Sequence, residues 1–285
     1  AVPGNHEFDY GMDVFKELSG QVQADIMPDY EYLSANFVDL LTNKTVFEPY
    51  EIRTIAGQKV AFLGISTPET YTKSTPTYFQ DENGNYIYSF CEDDFIKTIQ
   101  AAVDSAKADG ADLVIAVGHL GVEASSEPFR STDVIANTTG IDAFIDAHSH
   151  STVASQQVEN KDREDVLLTQ TGTKFENFGK MTITSDGEIT SELITPESVD
   201  VDATASAKAA YDETQAIIDK YEEMQDFTYE EIGSSEVDLT TVDPTTGERI
   251  IRNRETNMGN FVADAYRETT GADIAFANGG GIRAD

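Results

Sequence analysis

Residues 113–119 read Leu-Val-Ile-Ala-Val-Gly-His. Five apolar residues in succession, three of them β-branched, describe a short strand covered on both faces, and the run ends on a glycine and a histidine. Just ahead of it, residues 93–108 place Phe95, Ile99, Ala102, Val103 and Ala106 on one helical stripe, and Gly110 closes that helix. Just behind it, Ala143-Phe144-Ile145 is another brief apolar run, followed by Asp146-Ala147-His148-Ser149-His150. Strand-like and helix-like segments in alternation predict a mixed α/β fold with two packed sheets and flanking helices.

Toward the amino terminus, Val60-Ala61-Phe62-Leu63-Gly64-Ile65 is a third buried-strand pattern, and it stops at Thr67-Pro68. Residues 48–55 precede it across a turn at Ala56-Gly57-Gln58, and residues 81–85 form a second turn flanked by strand aromatics Tyr78, Phe79, Tyr86 and Tyr88. Residues 166–168 and 181–183 extend the β-rich part. Composition shifts at 196–202, and residues 203–225 read as one exposed helix with Ala207, Tyr211, Ile218 and Tyr221 on one face, a linker between domains. A second helix at about 256–270 carries a stripe of Met258, Phe261, Val262, Ala265 and Tyr266 and is stopped by Gly271. Ile274-Ala275-Phe276-Ala277 then reads as a strand entering a glycine-rich loop.

The 285 residues hold 39% hydrophobic and 9% aromatic side chains, enough for a substantial core. Their net charge of −33 argues against a nucleic-acid polymer or an anionic membrane surface as partner, because polyanions are repelled. A single nucleotide is not excluded, since a metal or a few arginines can meet its charge locally. Cys91 is the only cysteine, so neither an internal disulfide nor a cysteine-based zinc site can form. No apolar run approaches the length of a membrane span, and no signal peptide is visible.

There are four histidines, His6, His119, His148 and His150. His119 and the pair His148/His150 follow apolar runs, and His6 lies in the glycine-containing stretch Gly4-Asn5-His6-Glu7. The carboxyl ends of strands are where open α/β sheets gather ligands. A single histidine is an ordinary structural residue. Imidazoles collected at strand ends, two of them at i and i+2, suit zinc, manganese or iron.

Gly4-Asn5-His6-Glu7, Gly118-His119-Leu120-Gly121 and Ala147-His148-Ser149-His150 resemble the last three motifs of the calcineurin-like metallophosphoesterases. Gly4 to Gly11, Gly-Asn-His-Glu-Phe-Asp-Tyr-Gly, is similar to the 5′-nucleotidase branch. Arg254-Glu255-Thr256-Asn257-Met258-Gly259-Asn260 and Asn278-Gly279-Gly280-Gly281-Ile282-Arg283 resemble signatures of the 5′-nucleotidase carboxyl-terminal domain. The resemblance implies a four-layer αββα sandwich over residues 1–196 that lacks its first strands, a linker helix over 197–225, and the opening part of a second α/β domain over 226–285.

It also implies a chemistry. Two divalent ions, of zinc, manganese, iron or cobalt, would sit side by side. Asn5, His119 and His148 would bind one and His150 the other. His6 would stabilise the phosphoryl group and protonate the leaving alkoxide, and Asp9 would hold its ring. Taken alone, Asp9 would be an N-cap or a solvated carboxylate. Arg254, Asn278, Gly280 and Arg283 would contact the nucleotide. An ion pair with a nearby carboxylate is the plain alternative for each arginine, and a flexible loop for the glycines. The expected reaction is hydrolysis of nucleoside 5′-monophosphates. A 2′,3′-cyclic-nucleotide phosphodiesterase with 3′-nucleotidase activity and a nucleotide-sugar hydrolase share these motifs, and a non-catalytic acidic binding protein is the rival of another class. The resemblance also implies a site of action outside the cell, in the periplasm or at the cell surface, where most of the family is found.

The chain departs from the family pattern at Ala147, where glycine is usual, and at Gly118, where serine is commoner. The two earlier family motifs, Asp-x-His and Gly-Asp, belong ahead of Gly4, and only Ala1-Val2-Pro3 stand there. The chain therefore reads as a fragment of a longer enzyme, with the bridging aspartate and the base-stacking aromatics outside it and with little turnover of its own.

Overall fold

The strand that ends on His119 lies inside a six-stranded sheet whose strands, in spatial order, are residues 50–55, 58–66, 113–119, 143–146, 165–171 and 152–159. The computed structural model describes residues 1–20, 30–184, 187–225, 230–231 and 233–282. Residues 1–200 form one compact unit and residues 201–285 a second.

In the first unit, a single 3-10 turn Asn5–Phe8 leads into α1 (Met12–Leu18), followed by the short strands β1 (Val38–Asp39) and β2 (Lys44–Thr45). β3 (Tyr50–Ile55) and β4 (Gln58–Ser66) form an antiparallel hairpin whose turn is Ala56-Gly57, both at positive φ. α2 (Thr70–Lys73) is a single turn at the carboxyl end of β4. After β5 (Tyr88–Ser89) and α3 (Phe95–Ala108) come β6 (Leu113–His119), α4 (Ser131–Asn137) and β7 (Ala143–Asp146). β8 (Thr152–Glu159) and β9 (Asp165–Thr171) complete the main sheet, and β10 (Phe178–Ile183) pairs with β11 (Ile189–Ile194) in a separate hairpin.

Strands β4, β6, β7 and β9 run parallel, with antiparallel β3 and β8 at the edges. This is the mixed α/β architecture that the apolar runs predict, because strands covered on both faces need helical crossovers to connect them. All five stripe residues of α3 are buried, and they pack with Leu63, Ile65, Val114, Ala116, Val134, Ile135 and Phe144 into one apolar core.

A second, aromatic core stands beside it. Phe8, Phe15, Phe37, Phe47, Phe79, Tyr88 and Phe90 are buried together, with Tyr32 and Tyr71 against them. Phe8 is fully covered, and its ring centroid lies 4.8 Å from Phe15, 5.1 Å from Phe79, 5.3 Å from Phe37 and 5.9 Å from Phe90, all edge to face. The backbone of 33–36 runs so close to β4 that a side chain on Gly64 would meet the Leu33 carbonyl oxygen at 2.1 Å. Buried Asn36 ties that stretch down, donating to the carbonyls of Ser66 at 2.8 Å and Phe90 at 2.9 Å.

Two expectations are corrected. Tyr78 and Phe79 lie in a 3-10 turn (Pro76–Phe79) and not on a strand, with Pro76 at its start setting a helical φ. Ile274 to Ala277 is not a strand, for among the described residues no neighbour offers it a ladder, and Ile274 and Phe276 face solvent. In the second unit, α5 (Ala205–Met224) and α6 (Asn257–Thr270) form where the periodicity places helices, each capped by a threonine hydroxyl, Thr204 onto Ala207 N–H and Thr256 onto Gly259 N–H. Neither buries a side chain, so the α6 stripe does not pack into a core: Phe261 and Tyr266 remain exposed.

Candidate metal centre and active site

Three parallel strands deliver polar residues to one end of the sheet. β4 ends just before Glu69, β6 ends on His119, and β7 ends two residues before His148. Neighbouring parallel strands are about 4.8 Å apart, so residues at their carboxyl ends can meet. The turn Asn5–Phe8 closes over the same place.

Asn5 is buried, and its amide oxygen lies 3.1 Å from His119 Nε2 and 3.1 Å from His148 Nδ1. The two imidazole rings are 4.9 Å apart between centroids. Burial, reinforced by the neighbouring His148, His6, His150 and Lys73, pushes the His119 pKa down to about 3. That ring is neutral across the physiological range, the form that binds metal. Two imidazole nitrogens and a neutral amide oxygen thus converge on one point. With metal–nitrogen bonds of about 2.0–2.1 Å, ligand atoms of one cation stand roughly 3 Å from each other, so the observed spacing fits a shared divalent ion. Among the described residues no group of three or more His, Cys, Asp or Glu side chains gathers to hold a metal; the cluster here is two histidines and an asparagine.

The His148-Ser149-His150 turn is held in an uncommon backbone. His148 has φ +81° and His150 φ +58°, the left-handed region that side chains other than glycine rarely adopt. Fully buried Gln170 explains how it persists. Its amide oxygen accepts from Ser149 Oγ at 3.1 Å and from the Ser151 backbone N–H at 2.7 Å. Its amide nitrogen donates to Asp146 Oδ2 at 3.4 Å. Asp146 in turn accepts from the N–H groups of Leu120 at 2.9 Å and Gly121 at 3.3 Å, so one buried carboxylate joins the loops that carry His119 and His148. An Asp-x-His does occur within the chain, at Asp146-Ala147-His148, but its aspartate has this structural role and is not the family's missing motif. The carboxyl is buried, burial raises its pKa, and both oxygens are occupied by these structural contacts.

His6 and Asp9 share the turn that carries Asn5. His6 Nδ1 is 2.7 Å from Asp9 Oδ2, and Ser74 Oγ donates to Asp9 Oδ1 at 3.3 Å. A carboxylate can only accept, so the ring's Nδ1 bears the proton there. Glu7 closes the turn by accepting from Gly4 N–H at 2.6 Å. Gly4 itself is pressed against His119, where an added Cβ would stand 2.7 Å from Cε1 and 2.8 Å from both ring nitrogens. Gly4→Ala is therefore expected to push the His119 ring off Asn5 and weaken manganese binding by about tenfold or more, at a stability cost of about 1–3 kcal/mol. Titration calorimetry on the folded variant checks this; unchanged affinity would show that the ring does not need its present position. The family departure at Gly118 has a similar cause, because a Cβ there would lie 2.6 Å from the Phe144 ring.

Sequence reasoning missed Glu69 and Lys73. Glu69 Oε2 lies 3.1 Å from His148 Nε2, and Lys73 Nζ lies 3.1 Å from Glu69 Oε1. Burial would raise the Glu69 pKa, but hydrogen bonds from His148, Ser126 and Lys73 outweigh it and hold the carboxyl down at about 2. Its place shortly after the Val60–Ile65 run is a weak signal by the strand-end rule that singles out the histidines, and it does not reveal the contact with His148.

The second unit gathers its residues less completely. Arg254 lies 3.7 Å from Asp243 Oδ2, the ion pair that was its plain alternative. Asn278 caps the turn Gly279–Gly281 by accepting from Gly280 N–H at 3.0 Å. Arg254, Asn260, Phe276 and Gly279 help line a cavity of about 210 Å³ that Asn278 and Gly280 do not reach. Arg283 lies outside the described residues. A larger groove of about 660 Å³, lined by Asp94, Lys97, Gln100 and Phe129 among others, holds none of the histidines. Among the described residues no helix is long and apolar enough to cross a membrane.

The profile of the 5′-nucleotidase carboxyl-terminal domain matches residues 231–285. The trifunctional nucleotide phosphoesterase protein YfkN of Bacillus subtilis is 26% identical over 99% of this chain and 20% of its own length. The cell wall protein Lmo0130 of Listeria monocytogenes is 24% identical over 99% of this chain and 38% of its own. The crystal structure of a 5′-nucleotidase precursor from Thermus thermophilus superposes with a TM-score of 0.69 at 23% identity, covering 99% of this chain and 54% of that one. The chain thus spans between a fifth and about half of these proteins. With the calcineurin-like phosphoesterase profile matching residues 1–152, from the Asn5 turn past His150, the chain belongs to that family.

Proposed function

We propose that this chain carries the metal-binding half of a phosphate-monoester hydrolase centre that acts on nucleoside 5′-monophosphates. The carrying observation is the meeting of Asn5 Oδ1 with His119 Nε2 and His148 Nδ1 at 3.1 Å, beside a histidine–aspartate pair on the same turn. Family membership implies divalent metal. In our reading Asn5, His119 and His148 hold one ion and His150 contributes to a second, each of zinc, manganese, iron or cobalt. Bound there, divalent metal supplies a low-pKa water and a positive charge against the phosphoryl oxygens.

The chain's own groups do the rest. Asp9 holds the Nδ1 proton of His6 and fixes the plane of the ring, so the ring in its doubly protonated form passes its Nε2 proton to the departing alkoxide oxygen and ends neutral with Nδ1–H retained. The turn brings that ring to the metal ligands because Asn5 and His6 are adjacent. Arg254, Asn278, Gly280 and Arg283 of the second unit would meet the nucleotide, an assignment supported by the profile match over 231–285 and by the nucleotide phosphoesterase relative. A site of action at the cell surface is supported by the cell wall relative.

The test compares release of phosphate from AMP by the manganese-loaded chain and its His6→Ala variant. Loss of a general acid is expected to slow turnover by roughly 10²–10⁴-fold with manganese affinity unchanged. The ratio, and not the absolute rate, carries the result. Equal rates in the two chains would sink the acid role of His6.

A further inference from the structure

We propose that Glu69 is a positioning residue: it holds the proton of His148 on Nε2 and so turns the Nδ1 lone pair toward the cation site beside Asn5. This rests on reading Asn5, His119 and His148 as metal ligands. The geometry is a line of three groups. Asn5 Oδ1 is 3.1 Å from His148 Nδ1, and Glu69 Oε2 is 3.1 Å from Nε2 on the opposite side of the ring. The ring is nearly sealed, with 6% of the His148 side chain and 14% of Glu69 exposed. An imidazole that binds metal through one nitrogen presents the other as a donor, and a carboxylate there fixes the tautomer and makes the ligand more basic.

Lys73 complicates the picture, because its Nζ lies 3.1 Å from Nε2 as well as 3.1 Å from Glu69 Oε1. Were Lys73 the donor to Nε2, the carboxylate oxygen would face a lone pair at hydrogen-bond distance, which is repulsive. With the proton on Nε2, Oε2 accepts from the ring and Oε1 from the ammonium, and the Nδ1 and Asn5 Oδ1 lone pairs that then face each other at 3.1 Å are the two that a cation would bridge. Lys73 then anchors Glu69. Glu69 is the N-cap and Lys73 the last residue of the single turn α2 that follows β4, so the two are one helical turn apart on the same short element.

The experiment uses the full chain, wild type, Glu69→Ala, Glu69→Asp and Lys73→Met, each checked for folding by near-ultraviolet circular dichroism. Manganese is titrated by calorimetry, and the metal-free histidine rings are read by nitrogen-15 NMR, assigned with His148→Gln. Glu69→Ala is expected to bind manganese roughly 10–100-fold more weakly and to lose the slowly exchanging His148 Nε2 proton, with Glu69→Asp between it and wild type. Lys73→Met is expected to stay within about threefold of wild type. The proposal is overturned if Glu69→Ala keeps both affinity and that proton, or if Lys73→Met is the variant that loses them. Failure of the wild-type chain to take up manganese would overturn the ligand assignment, and the proton measurement would then decide the role of Glu69 by itself.

Discussion

His119→Ala is expected to cost the chain well over the roughly 10–100-fold in metal affinity that loss of an outer-shell partner causes, because on the proposed assignment it removes a direct ligand. Two neutral donors, Asn5 and His148, would remain around the first cation, and neither carries charge to compensate. The fold should tolerate the change. His119 is the final residue of β6, and the apolar core of Leu63, Val114, Ala116 and Phe144 is a separate cluster that does not include it. Isothermal titration with manganese or zinc gives the affinity, and a thermal melt of the metal-free protein gives the stability. A melt unchanged to within a few degrees with affinity lost is the expected pattern. Affinity retained would mean that the convergence on Asn5 is structural packing alone.

Phe8→Ala is expected to destabilise the first unit by about 3–5 kcal/mol, the range for removing a fully buried aromatic ring. Phe8 sits at the centre of four edge-to-face ring contacts, and each adds about 0.5–1.5 kcal/mol beyond burial. Urea denaturation followed by tyrosine fluorescence checks the number. The functional consequence travels with it. Phe8 is the last residue of the turn that holds Asn5 and His6, so a loosened ring frees both. Loss below about 1 kcal/mol would mean that the neighbouring phenylalanines close the cavity, an outcome that would separate the aromatic core from the positioning of the site.

The central sheet and the cluster at its end were legible because both depend on short-range pattern. Val60–Ile65, Leu113–Val117 and Ala143–Ile145 are apolar runs, and such runs become interior strands wherever helices can cover them. Histidines directly after those runs had one place to go. The pairing of His6 with Asp9 is also local, three residues apart. Glu69 was not legible, since its meaning depends on His148, 79 positions away. Gln170 is a polar residue inside an apolar strand, and only the left-handed turn 21 residues before it explains its burial. Ile274–Ala277 went wrong for the complementary reason. Its composition is that of a strand, but a strand exists only through hydrogen bonds to another, and composition says nothing of a partner. The exposed stripe of α6 shows the same limit, because periodicity fixes which residues share a face and not what that face meets.

The contacts that bring Asn5 to His119 and His148 span 114 and 143 residues. A ribosome adds roughly 5–20 residues per second, so Asn5 waits many seconds for its companions to be made. During that time two βα crossovers must form and dock before the three donor atoms share a point. Contacts of such long range form late, after the entropy of closing the intervening loops has been overcome. Nascent chain that has not passed residue 148 has no place for the ion, and scattered histidines on an unfolded polymer hold divalent cations weakly. On the proposed ligand assignment, metal is therefore taken up late, once residues 5, 119 and 148 have been brought together.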